Sequence, residues 1–153
     1  MDASIVLVDN DSKYLIAYER LLRPLRCKIF CAQRRSDALP FLSAPRLAIV
    51  VVEPCLADGD GLELIRMART LRPPASGIVV TAFPSPLGAR RAGDAGAAGY
   101  LGKPFAGRVL VALAERQLAT WVAHSLLPTD ASSGVANRSL SSGEREGSRE
   151  YRA

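Results

Sequence analysis

Between residues 47 and 52 the chain reads LAIVVV, apolar at every position. A strand with one wet face would alternate, so this run predicts a strand buried on both faces, as in a parallel sheet. SIVLV (4–8), KIFCA (28–32), GIVVTA (77–82) and AGYLGK (98–103) predict four more strands. Segments of helical period lie between them. SKYLIAYERLLR (12–23) puts Leu15, Tyr18 and Leu22 on one face, with Asp11 or Ser12 to cap it and Pro24 to end it. SDALPFLSA (36–44) predicts a short helix that tolerates Pro40 near its start. DGLELIRMARTL (60–71) predicts a helix closed by Pro73-Pro74, SPLGARRAGDAG (85–96) a weak, glycine-laden one, and GRVLVALAERQLATWVAHSLL (107–127) a long last helix.

Five strands alternating with five helices predict an α/β domain, a doubly wound parallel sheet with helices on both faces. In such sheets the functional crevice lies outside the carboxyl ends of the strands. The residues predicted there are Asp9, Asn10 and Asp11 after the first strand, Glu53 after the third, Thr81 at the fourth and Lys103 at the fifth. From Pro128 onward the chain is rich in serine and glycine and nearly free of large apolar side chains. Such a segment cannot bury enough surface to offset its ordering entropy, which predicts a disordered tail over 128–153. The domain is expected over 4–120. The last helix is expected to extend past it over 121–127, where Val111, Leu118, Trp121 and Val122 prolong an apolar stripe that suggests self-association.

Composition narrows the class. A chain of 153 residues, 48% hydrophobic, fits one domain with a real core. The net charge of +5 is carried mostly by arginine, without a long basic run or interleaved aromatics, so a solvated surface explains it better than a nucleic-acid site. Arg66 and Arg69 share a helix face of this solvated kind. Cys27, Cys31 and Cys55 make an odd count with no CxxC pair, and His124 is the single imidazole. A zinc site or disulfide framework is thereby disfavoured, and reduced thiols in a cytoplasmic protein are expected. MDASIVLV has no basic n-region, and no apolar run approaches the ~20 residues of a membrane span.

The strand-end residues make a compact polar cluster. Acids crowded together repel and need a cation. Lys103 supplies one and a bound Mg²⁺ would supply another. Thr81 offers a hydroxyl to an oxygen anion. Phosphoryl transfer uses such parts: a carboxylate nucleophile, a hard cation and donors for the equatorial oxygens.

On these motifs the chain resembles the receiver domain of two-component response regulators. IVLVDNDS resembles the family's first strand with its acidic pair, and IVVVEPCLADGDGLELI the strand that ends in the phospho-accepting Asp and runs on to the next helix. Asp60-Gly61 match the loop that follows, IVVTAF the strand carrying Thr81, and GYLGKPF the last strand with a switch aromatic at Tyr100 and Lys103-Pro104. The resemblance implies a flavodoxin-like sheet of order 2-1-3-4-5 and a cis bond before Pro104. It also implies a role in phosphorelay signal transduction without enzymatic activity, and a sensor kinase or other signalling protein as partner.

Two departures fall at the reacting positions. Glu53 stands where the family carries the phospho-accepting Asp, and Asn10 where it carries the main metal-ligating acid. Glutamate carries its carboxylate one bond further out, about 1.5 Å. Asp9, Glu53 and Lys103 sum to a formal −1, where three acids and the lysine would give −2. Both changes weaken Mg²⁺ binding at Asp9 and Glu53. A degenerate receiver working by phosphorylation-independent contact is therefore expected, with Glu53 reaching Lys103 directly. A conventional phospho-accepting receiver is the first alternative. The second is a haloacid dehalogenase-like phosphatase, because VLVDND also resembles that family's DxD start, with Asp9 as nucleophile, Asp11 as acid/base and Thr81 and Lys103 in its later motifs.

Overall fold

The computed structural model describes residues 2–128. In chain order the elements are β1 (Ser4–Val8), α1 (Ser12–Leu22), β2 (Lys28–Ala32), α2 (Arg35–Ala38), β3 (Leu47–Val52), β4 (Cys55–Leu56), β5 (Gly59–Asp60), α3 (Leu62–Arg69), β6 (Ser76–Thr81), α4 (Pro86–Asp94), β7 (Ala97–Gly102) and α5 (Gly107–Ser125). The five long strands form one parallel sheet in the order β2-β1-β3-β6-β7. With β4 and β5 set aside as a separate pair, this is the doubly wound order 2-1-3-4-5 that the resemblance implies.

The unbroken apolar runs bury both faces by alternation. Val6, Val8, Val50, Val52 and Val79 point to one side and pack with Leu62, Leu64, Ile65 and Ala68 of α3 and Ala92 of α4. Ile5, Leu7, Ile49, Val51, Ile78 and Val80 point to the other and meet Leu15, Tyr18 and Leu22 of α1 and Leu110, Ala114, Leu118 and Trp121 of α5. A one-residue slip in any central strand would exchange its two sets between the layers.

Four expectations are corrected. The helix expected over 36–44 is α-helical only to Ala38 and continues as a 3-10 helix over Leu39–Ser43. Pro40 has no N–H for the bond to residue 36, so the α-helix cannot continue through it. The helix expected from residue 60 starts at Leu62, because Gly59 and Asp60 pair antiparallel with Leu56 and Cys55. The side chain of Asp60 instead accepts from the Leu62 N–H at 2.9 Å, at the mouth of the helix. The stripe on α5 does not project beyond the core, since Leu118 and Trp121 lie inside it. The core therefore runs past residue 120, and the exposed large side chains at this end are Leu126 and Leu127. Apart from Pro128, the expected tail lies outside the described residues. No helix among the described residues is long and apolar enough to cross a membrane.

The β4–β5 turn also caps α2. Arg34 at its N-cap offers no side-chain bond, and Asp58 takes that place, accepting from the backbone N–H groups of Arg35 at 2.8 Å and Ser36 at 2.9 Å. The Ser36 bond and then the Arg35 bond hold the Asp58 carboxyl down at about 2. A carboxyl lowered on folding stabilises above its unfolded value and loses that contribution as pH falls through the folded value. Asp58→Ala is therefore expected to destabilise by a constant amount above about pH 5 and by progressively less toward pH 2. Urea unfolding of both proteins across that range measures the difference; a gap independent of pH would contradict the capping role.

Candidate functional site

Asp9, Glu53 and Lys103 each follow a strand of the sheet, and the parallel register brings them to one edge. Asp9 and Glu53 are buried, and the Lys103 side chain is 5% exposed. The Lys103 Nζ donates to Asp9 Oδ2 at 2.6 Å and to Glu53 Oε2 at 3.2 Å. It also lies 3.9 Å from the centre of the Tyr14 ring, which covers it from the α1 side. Burial alone would lower the Lys103 pKa, but the bond to Asp9 and its charge, with the same from Glu53, outweigh it and raise the value. The ammonium is thus the counter-charge for both acids. The Lys103–Pro104 bond is cis, as the resemblance implies.

Glu53 makes more contacts than an ion pair needs. Its Oε2 also accepts from the Ala82 N–H at 3.1 Å, and Oε1 from the Cys55 N–H at 3.3 Å. Gly61 permits this placement: a Cβ there would stand 2.4 Å from the Glu53 carbonyl oxygen and 2.7 Å from Val52 Cγ2. Asp9 Oδ1 accepts from the Asp11 N–H at 2.9 Å.

Two of the expected pocket residues turn elsewhere. Asn10 Nδ2 donates to the Cys55 carbonyl at 2.6 Å while its Oδ1 accepts from the Ala57 N–H at 3.0 Å, clamping the first loop to the β4–β5 hairpin. Asp11 accepts from the Lys13 N–H at 2.9 Å and caps α1. Of the Asp9, Asn10 and Asp11 group, only Asp9 faces the cluster. Thr81 is buried beside the cluster, its hydroxyl accepting from the Phe83 N–H at 3.0 Å. Tyr100 sits further along, its hydroxyl accepting from the Ser85 N–H at 3.1 Å. It lies against Gly88, where a Cβ would come within 2.6 Å of that oxygen. A cleft of about 430 Å³ opens along Thr81, Tyr100 and Gly88, with Phe83 exposed at its edge.

The donor set fits Mg²⁺ poorly. The ion needs near-octahedral oxygen ligands at about 2.0–2.1 Å. Here the lysine shares both carboxylates, and the Asn10 oxygen is committed to a backbone amide. Among the described residues no group of three or more His, Cys, Asp or Glu is placed to hold a metal. The phosphatase alternative is likewise unsupported, because its acid/base, Asp11, is engaged as a helix cap.

Some contributors carry no clear mark in the sequence. The Ala82 amide is a backbone group and leaves none. Tyr14 could have been found one helical turn before Tyr18, since residues four apart share a face. The clamp made by Asn10 depends on a hairpin whose strands are two residues each.

Comparison with known proteins agrees with this fold. The family model described as the response regulator receiver domain matches residues 5–115. The photosynthetic apparatus regulatory protein RegA of Rhodobacter capsulatus is 31% identical over 103 residues, 67% of this chain and 56% of that protein. The DNA-binding transcriptional regulator NtrC of Azospirillum brasilense is 28% identical over 138 residues, 90% of this chain and 28% of that protein. The chain thus spans about half the length of the first relative and under a third of the second. Among solved structures, the beryllofluoride-activated DrrB receiver domain is 28% identical with a TM-score of 0.71, covering 78% of this chain and 99% of its own. A CheY-like receiver domain from Methanospirillum hungatei JF-1 shares the fold at 24% identity and a TM-score of 0.72, covering 80% and 98%.

Proposed function

The chain belongs to the response regulator receiver domain family, and we propose that within two-component signalling it acts as a pseudo-receiver, passing its signal by protein contact without taking up a phosphoryl group. The observation that carries this reading is the double acceptance at Glu53 Oε2, from Lys103 Nζ and from the Ala82 N–H. A lysine and a backbone amide at a strand end are the donors a transferred phosphoryl oxygen would need. The longer side chain carries its own oxygen to them, so the donors are satisfied before any phosphate arrives.

The cation side supports the same reading. Asn10 gives its oxygen to the hairpin, and the remaining charges of Asp9, Glu53 and Lys103 sum to −1. Little draws a divalent ion into the site. The partner is a signalling protein, a sensor kinase among the candidates, that reads a surface already set by the Glu53 contacts.

The test is incubation of the protein with Mg²⁺ and beryllofluoride followed by calorimetry, and with acetyl phosphate followed by intact mass. No saturable response and no added phosphate are expected. Saturable binding at Glu53 or Asp9 would overturn the proposal and restore a conventional phospho-accepting receiver.

A further inference from the structure

A second concave site lies at the opposite pole of the sheet. Arg46 precedes β3 and Glu53 follows it, so about 23 Å of strand separates them at ~3.3 Å per residue. The depression there has a volume of about 190 Å³, and its walls include Ser43, Arg46, Arg72, Pro73 and Trp121. No carboxylate lines it.

Its two arginines have no acidic partner. The ion pairs among the described residues are those of Arg35 and Lys103, and neither Arg46 nor Arg72 takes part in one. The Arg46 guanidinium lies 5.0 Å from the centre of the Trp121 ring. Stacking of this kind engages the flat face and leaves the in-plane N–H groups free to donate. Arg72 uses one bond, from Nη1 to the Leu71 carbonyl at 3.1 Å. The backbone of Arg46 is held in the left-handed region at φ 56°, a strained conformation for a residue with a Cβ. The Trp121 indole N–H is buried without an acceptor.

We propose that this depression binds a phosphate group, through the in-plane edges of Arg46 and Arg72. Two guanidinium charges facing one small cavity with no acid in its wall are balanced by a dianion, and guanidinium edges match phosphate oxygens in pairs. A carboxylate would leave one of the two charges uncompensated. The site is independent of Glu53, and the test below does not involve the acidic cluster.

Trp121 is the single tryptophan of the chain, so its emission reports on this wall alone. The full chain is titrated with inorganic phosphate at constant ionic strength, with chloride as the control and glycerol 3-phosphate as a second arm, and the heats are followed by calorimetry. A saturable emission change with phosphate but not chloride is expected. Arg72→Gln, which leaves the stacked Arg46 in place, is expected to weaken binding by roughly tenfold or more. Equal affinity for both phosphates would assign the site to the phosphate group itself, and tighter binding of the ester would add a contact from its organic part. A non-saturating response, an equal response to chloride, or unchanged affinity in Arg72→Gln would overturn the proposal. Calorimetry on the unaltered chain decides the first two even if a variant misfolds.

Discussion

Lys103→Met is expected to lower the unfolding free energy by about 3–5 kcal/mol, the usual cost of removing one partner from a buried ion pair. That corresponds to a fall in Tm of roughly 10–20 °C for a domain of this size. The side chains concerned are almost completely buried, so water cannot take over the role of the ammonium. Asp9 and Glu53 would then face each other without a counter-charge. The folded variant should bind a proton that the unfolded chain does not need, so its deficit should shrink as the pH is lowered. In the unaltered protein the sign is the same, but the pH dependence lies far from neutrality. Lys103 is raised above its ordinary 10.5, so its contribution is complete at neutral pH and fades only in strong alkali. Adding Glu53→Gln to the methionine variant should restore part of the loss by removing one of the two charges. A Lys103→Met protein within 1 kcal/mol of the original would show that the lysine is not the counter-charge.

The second large effect is a gain. Asn10→Asp combined with Glu53→Asp is expected to give a saturable response to Mg²⁺ and beryllofluoride where the unaltered chain gives none. The shorter side chain at position 53 withdraws its oxygen from the Ala82 N–H and from Lys103, freeing both donors. The second substitution adds an acid, so that three carboxylates and one lysine sum to −2. Misplacement by about 1 Å costs on the order of a hundredfold in rate, so the rate of modification by acetyl phosphate should rise by at least that order. The price in stability is small, because Asp at position 10 loses its donor to the Cys55 carbonyl, worth about 1 kcal/mol. A double variant as inert as the original would place the block elsewhere, at Thr81 or Tyr100.

Much of this arrangement was legible in the chain. LAIVVV occupies β3 from its first residue to its last, and KIFCA likewise matches β2. The order of strands put Asp9, Glu53 and Lys103 at one edge, and the extra methylene of Glu53 made contact with Lys103 foreseeable. The misreadings have local causes. Strands β4 and β5 are too short to show any alternation, so Asp60 read as the start of a helix. The clamp made by Asn10 went unread, because it needs a backbone partner 45 residues away. The stripe on α5 was real, but periodicity does not say what covers a face. Trp121 is covered by its own sheet layer and by Arg46.

The Asn10 clamp couples the first loop to the position of Glu53. Asn10→Asp alone would cut a hydrogen bond to the hairpin and place a new charge near Asp9, while Glu53 still occupied the phosphoryl donors. Glu53→Asp alone would give up the Ala82 amide with no metal to compensate. Each first step back loses stability and gains no chemistry, so the two positions are coupled rather than additive. On the pseudo-receiver reading the clamp works as a latch: while the asparagine holds the hairpin, neither substitution alone is expected to open the site, and only the pair is expected to do so.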